Sequence, residues 1–220
     1  MELALYPRFA PLLRYPHAGI EQAIDACAQA LRAAPAACRD AFAPGAAALR
    51  HLAPVRREEL FLKSFELQAI CSLEIGYARF GEDYKRGLFL AGLKQEHRAA
   101  SHDCGDELPD HLANVLELLP ALAEELRRDL VEQVLIPALR AMLEDFDEPR
   151  LRARLDALKA RGELVMQEEL HFSNPYRGLL QALLVLLEFD YPDVPARRAG
   201  RAGDNFIPIH DRSGAVELGA

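Results

Sequence analysis

The stretch Gly19–Ala34, GIEQAIDACAQALRAA, decides the fold class. Its apolar positions Ile20, Ile24, Cys27, Ala28 and Leu31 recur at intervals of three and four, which paints one face of a helix rather than alternating across a strand. Pro35 closes the segment, since proline carries no N–H to continue a helical ladder. The same texture runs through the chain. Ala, Leu, Glu and Arg are abundant and β-branched residues few, so good helix formers dominate.

Working outward, residues 35–54 are rich in Ala and Pro with Gly45 in the middle, and read as a loop around a short helix. Pro54 suits a first turn, with Glu58 and Glu59 complementing the positive end of the helix dipole; Leu60, Phe61, Ser64, Phe65 and Gln68 then line one side. A second apolar helix is expected over 69–80, ending near Gly81. A third, over 82–100, is opened by Glu82 and Asp83 and carries Leu88, Phe89, Leu93 and His97. Short connections imply antiparallel neighbours.

Residues 101–109 hold turn formers and acids, and place Pro109 or Asp110 at the next helix N-terminus. Leu126, Leu130, Val134 and Ala138 follow at i+4 spacing in a long helix that Pro137 should kink. A charged helix spans 150–161, and Asn174-Pro175 opens the last core helix, 175–189. The expected architecture is all-α: a single-domain helical bundle over 1–190 and an extended or mobile C-terminal tail over 191–220, whose composition buries too little to offset ordering entropy.

Composition excludes several functions. The chain has 220 residues, of which 50% are apolar, and a net charge of -8. Nucleic-acid binding needs clustered cations to displace counterions, so an acidic chain of this kind disfavours it. The longest apolar run, Leu179 to Phe189, is about half of what a membrane span requires and contains Gln181 and Glu188. Residues 1–14 lack an export signal's basic start and apolar stretch, which leads us to expect a cytoplasmic protein. Cys27, Cys38, Cys71 and Cys104 form no CxxC pair and are expected as reduced thiols.

Catalytic patterns are weak. Gly76 to Gly81 has phosphate-loop spacing but is followed by Glu82 and Asp83, which would repel a nucleotide. The segment His97, His102, Cys104 and His111 offers zinc-type donors at a spacing that fits no familiar zinc module. Cys104 with His111 as base would be a nucleophile without identifiable oxyanion donors. The sequence therefore assigns no catalytic residue, cofactor or metal, and leaves a metal- or thiol-dependent enzyme and a helical adaptor as alternative readings.

Glu107-Leu108-Pro109-Asp110-His111-Leu112, followed by Leu116-Glu117, resembles the signature of the redox-enzyme maturation chaperones, the family of the TorD, DmsD and NarJ proteins. Leu12-Leu13-Arg14-Tyr15-Pro16 looks like the end of that family's opening helix, residues 59–67 like its second helix, and Gly81 to Leu93 like the stretch preceding the signature. The likeness spans roughly residues 5–190. It implies an all-helical binding protein without catalysis of its own. Its partner would be the apo catalytic subunit of a molybdopterin oxidoreductase, held at its N-terminal or twin-arginine leader region while the molybdenum cofactor is inserted. The Leu-Pro-Asp-His wording is closer to the nitrate reductase delta-subunit branch than to the trimethylamine N-oxide branch.

An arginine-bearing, partly apolar peptide calls for carboxylates at one end of a groove and apolar pockets along the rest. Glu107, Asp110 and Glu117 are the candidate charges, Tyr84 and His111 their hydrogen-bonding neighbours, and Pro109 the residue that stiffens the turn. Each has a plainer reading: Asp110 as a cap, Glu107 as a solvated acid, Glu117 paired with a surface arginine, Tyr84 in the core and His111 as a structural histidine. In the tail, Arg197-Arg198 and Phe206-Ile207-Pro208-Ile209 suggest a segment that docks in the protein's own groove.

Overall fold

The computed structural model describes residues 3–162 and 174–192. Within them the chain is all-α. Ten α-helices pack around one core, and the extended pairing is confined to a single bridge between Glu74 and His111. Among the described residues, no helix is long and apolar enough to cross a membrane. The tail beyond residue 192, including the segment expected to dock, lies outside the described residues.

Two short 3-10 helices, Leu3–Arg8 and Ala10–Leu12, begin the described chain and bury Tyr6, Phe9, Leu12 and Leu13 completely. Tyr6 Oη donates to Asp190 Oδ2 at 2.6 Å, tying this opening to the end of the last helix. Helix α1, Ile20–Ala30, buries Ile20, Ile24 and Cys27, as its periodicity predicts. Helix α2 is a correction. Residues 35–54 are not a loop around a short helix: Ala36–His51 is a continuous sixteen-residue helix with Pro44 inside it. Alanine is the strongest helix former, and Pro44 sits on the exposed face.

What holds α2 is its crossing with the last helix, α10, Pro175–Asp190. A Cβ at Gly45 would run into the Pro175 carbonyl oxygen, and one at Gly178 would lie 2.9 Å from the Ala41 carbonyl oxygen. The two backbones thus touch through glycines, and Cys38 Sγ donates to the Ala182 carbonyl at 3.2 Å in the same seam. Buried Arg57 closes the C-terminal end of α2: its Nε donates to Leu49 O and its Nη2 to Arg50 O, both at 2.8 Å.

Helix α3, Pro54–Phe61, runs into a π turn, Leu62–Glu66. Here Ser64 Oγ accepts from Asn174 Nδ2 at 2.7 Å, while Asn174 Oδ1 caps α10 through Tyr176 N. The helix expected over 69–80 is also corrected: only Ile75–Phe80, α4, is helical. Ile70, Cys71 and Leu73 are buried, but the Ile70 and Cys71 amides return to Ser64 O instead of continuing a ladder. Apolar content without a 3.6-residue period was the misleading signal. Helix α5, Tyr84–Ala99, starts where expected, capped by Asp83 Oδ1 on Lys85 N at 2.8 Å.

Helices α6, Leu112–Leu118, and α7, Glu124–Leu130, lead through a π turn, Val131–Leu135, into α8, Ile136–Asp145. Pro137 has no N–H for the carbonyl four residues back, that of Gln133. Arg79 Nε supplies the donor instead, at 3.0 Å. The irregularity expected at Pro137 therefore falls on the turn before it, as a π turn braced from α4. Helix α9, Glu148–Ala160, is the charged helix and buries only Leu151 and Leu155.

Candidate functional site

The segment between α5 and α6 is held from three sides. At its start, His102 N bonds His97 O at 2.9 Å, and two left-handed residues, Ser101 (φ 54°) and Gly105 (φ 63°), turn the chain. Asn114, fully buried at the base of α6, gathers the loop: its Nδ2 donates to Leu108 O at 2.9 Å and Cys104 O at 3.2 Å, and its Oδ1 accepts from Arg14 at 2.6 Å. On the far side, Ile75 N donates to Asp110 O at 2.9 Å and Leu112 N to Leu73 O at 2.8 Å. These two bonds stitch residues 110–112 to the chain at the start of α4.

Neither Pro109 nor Asp110 caps α6. His111 is the cap, its Nδ1 accepting from Ala113 N at 3.2 Å. Buried, and bridged to Glu74, His111 is held below its ordinary pKa chiefly by desolvation, with Glu107 and Glu74 opposing. An acceptor nitrogen suits a neutral ring.

Asp110 is 0% exposed, so its carboxyl supplies no charge to a surface groove, which corrects the expectation for it. It abuts Gly76, where a Cβ would lie 2.6 Å from Oδ2 and 3.0 Å from the Phe89 ring. Arg86 Nε is 3.5 Å from Oδ2, an ion pair without a hydrogen bond, and the Arg86 guanidinium lies over the Tyr77 ring. Burial raises the Asp110 pKa, and Arg86 only partly offsets this.

Glu117 pairs with Arg14 at 2.6 Å and accepts from His102 Nε2 at 3.2 Å. That is its plainer reading, an arginine partner, with a histidine added. Tyr84 is 80% exposed and so not a core residue. Glu107 and Pro109 are half-buried and Leu108 is 46% exposed. Of the predicted site, then, Glu107, Pro109 and Tyr84 reach the surface, while Asp110 and His111 lie beneath it.

Of the zinc-type residues, three converge: a ring nitrogen of His97, a ring nitrogen of His102 and Cys104 Sγ lie within 4.8 Å of one another, and His111 lies outside the group. His97 Nε2 donates to Pro109 O at 3.0 Å, and the two Nδ1 atoms are 3.0 Å apart. Burial lowers the His97 pKa and raises that of the Cys104 thiol. The other three cysteines are free and buried elsewhere.

Sequence reasoning missed Arg14, Gly76, Arg86 and Asn114. Asn114 had a local signal, as the lone amide in the apolar run Leu112–Leu119, where a buried polar group must find partners. The others are brought in by tertiary packing. No family model matches the chain, and no curated protein does.

Proposed function

We propose that this chain is a cytoplasmic maturation chaperone of the redox-enzyme type, a binding protein that holds the N-terminal or leader region of a molybdopterin enzyme's apo catalytic subunit, of the nitrate reductase kind or a near relative. The resemblance at residues 107–117 brings the family to this chain. The structural observation that supports the reading is the rigidity of that segment. Asp110, His111 and Asn114 are spent on fixing it, so that Glu107, Leu108 and Pro109 are offered at the surface without further ordering. A loop ordered in advance spares the cost of freezing it on binding. A carboxylate beside an exposed leucine suits a peptide that carries arginine next to apolar residues.

The chaperone acts by differential affinity: it binds the open, cofactor-accepting client better than the closed one. The test is calorimetry with N-terminal peptides of molybdoenzyme catalytic subunits and with an apo-subunit. Glu107→Lys and Leu108→Asp, both at the surface, should weaken binding by about tenfold or more each. Absence of binding to every peptide and to the apo-subunit would overturn the reading.

A further inference from the structure

Hydrogen-bond accounting at His97 and His102 leaves a lone-pair conflict. The Pro109 carbonyl can only accept, so His97 Nε2 carries a hydrogen. The Glu117 carboxylate, held by Arg14, likewise only accepts, so His102 Nε2 carries one too. A neutral imidazole has one N–H, which leaves both Nδ1 atoms bare. Yet they face each other at 3.0 Å, with His97 2% exposed. Two lone pairs at that distance repel, and a positive centre belongs between them.

A proton or a metal ion would resolve the conflict, and the third member of the group separates the two. Cys104 Sγ has no part in a proton shared by two imidazoles. Two imidazole nitrogens and one thiolate, in contrast, are the donor set that borderline divalent cations take. Two nitrogens on a tetrahedral zinc ion lie about 3.3 Å apart, so a small opening of the pair admits one. We propose that His97 Nδ1, His102 Nδ1 and Cys104 Sγ form a three-ligand site for a zinc-class divalent cation, with the Pro109 carbonyl and Glu117 carboxylate orienting the two rings from behind.

Both outer acceptors are in place. A metal-binding imidazole characteristically donates its other N–H to a carbonyl or carboxylate, which fixes the ring and strengthens it as a ligand. The thiol proton leaves on binding, so the cation's two positive charges meet one thiolate, and Glu117 lies behind His102. A fourth position stays open to water or another donor. Bound there, the cation would tie the end of α5 to the 101–111 loop. The site stands on the chain's own geometry and needs no client.

Cobalt(II) is the probe, titrated into chelator-treated full-length protein and then displaced by zinc(II). Saturation at one cobalt per chain is expected, with the thiolate-to-cobalt charge-transfer absorption of a tetrahedral site. Cys104→Ser should abolish that absorption and Cys71→Ser leave it. His102→Gln tests the site through a second ligand. Glu117→Gln should lower cobalt affinity by about tenfold or more while the helical circular dichroism is unchanged. No saturable absorption, or absorption that survives Cys104→Ser, overturns the proposal; a proton shared between the two rings in nitrogen NMR, with no cobalt uptake, does so and identifies a histidine–histidinium pair.

Discussion

Arg86 Nε lies 3.5 Å from Asp110 Oδ2, and neither atom makes a hydrogen bond. Asp110 lies under the surface with Gly76 against its carboxyl, while the Arg86 side chain, 22% exposed, reaches the surface beside Tyr77. A buried carboxylate paired this loosely is costly to ionise, which is why desolvation prevails over Arg86 and the pKa rises.

The sign follows by linkage. A carboxyl whose folded pKa exceeds its unfolded one contributes stability that is fully present below the unfolded value and is lost as pH rises through the folded value. Urea denaturation of wild type and Asp110→Asn should therefore show the wild type losing ground to the variant as pH rises from the ordinary carboxyl range toward neutrality. A difference between the two that stays flat with pH would exclude the mechanism.

His111 behaves in the opposite sense. Its folded pKa lies below the ordinary 6.5, so the unfolded chain takes up a proton first and stability is lost as pH falls through that range. His111→Asn keeps a capping oxygen and should remove that part of the acid sensitivity. His111→Ala should lose about 1 kcal/mol at neutral pH through the missing cap. Equal pH profiles for wild type and the Asn variant would refute this.

Gly45→Ala pits two effects against each other. Alanine gains at most about 1 kcal/mol in helix propensity, whereas its Cβ meets the Pro175 carbonyl across the seam. Backbone cannot swing aside as a side chain can, so overpacking, typically about 1–3 kcal/mol, should win and lower the melting temperature. A stabilised variant would mean that the helices are not in backbone contact.

The Gln133 carbonyl offers a coupling experiment. Arg79→Met removes the donor that Pro137 cannot provide; the bond is exposed, so water can take its place and the cost should be about 0.5–1.5 kcal/mol. In a Pro137→Ala background the helix regains its own donor, and the same substitution should cost less. Strictly additive losses in the double-mutant cycle would refute the compensation.

The elements with periodic faces and capping residues were legible: α1 from Ile20, Ile24 and Cys27, α5 from Asp83, α10 from Asn174-Pro175. Helix α2 was not, because its Ala, Pro and Gly residues have the composition of a loop until α10 is laid against them. At the site, Glu107 and Pro109 are half-buried, a position that their neighbours in sequence do not determine. The burial of Asp110 was hidden because Gly76 and Arg86, the groups that enclose it, lie more than twenty residues upstream and carry no local mark.

The glycine seam also bears on how the protein is born. Cys38 and Ala182 meet across it from 144 residues apart. At about 5–20 residues per second of translation, α2 waits roughly 7–30 s on the ribosome before α10 exists to cover it. The part of its apolar face that α10 covers is open throughout, so a nascent chain halted before α10 is a natural target for holdases and proteases.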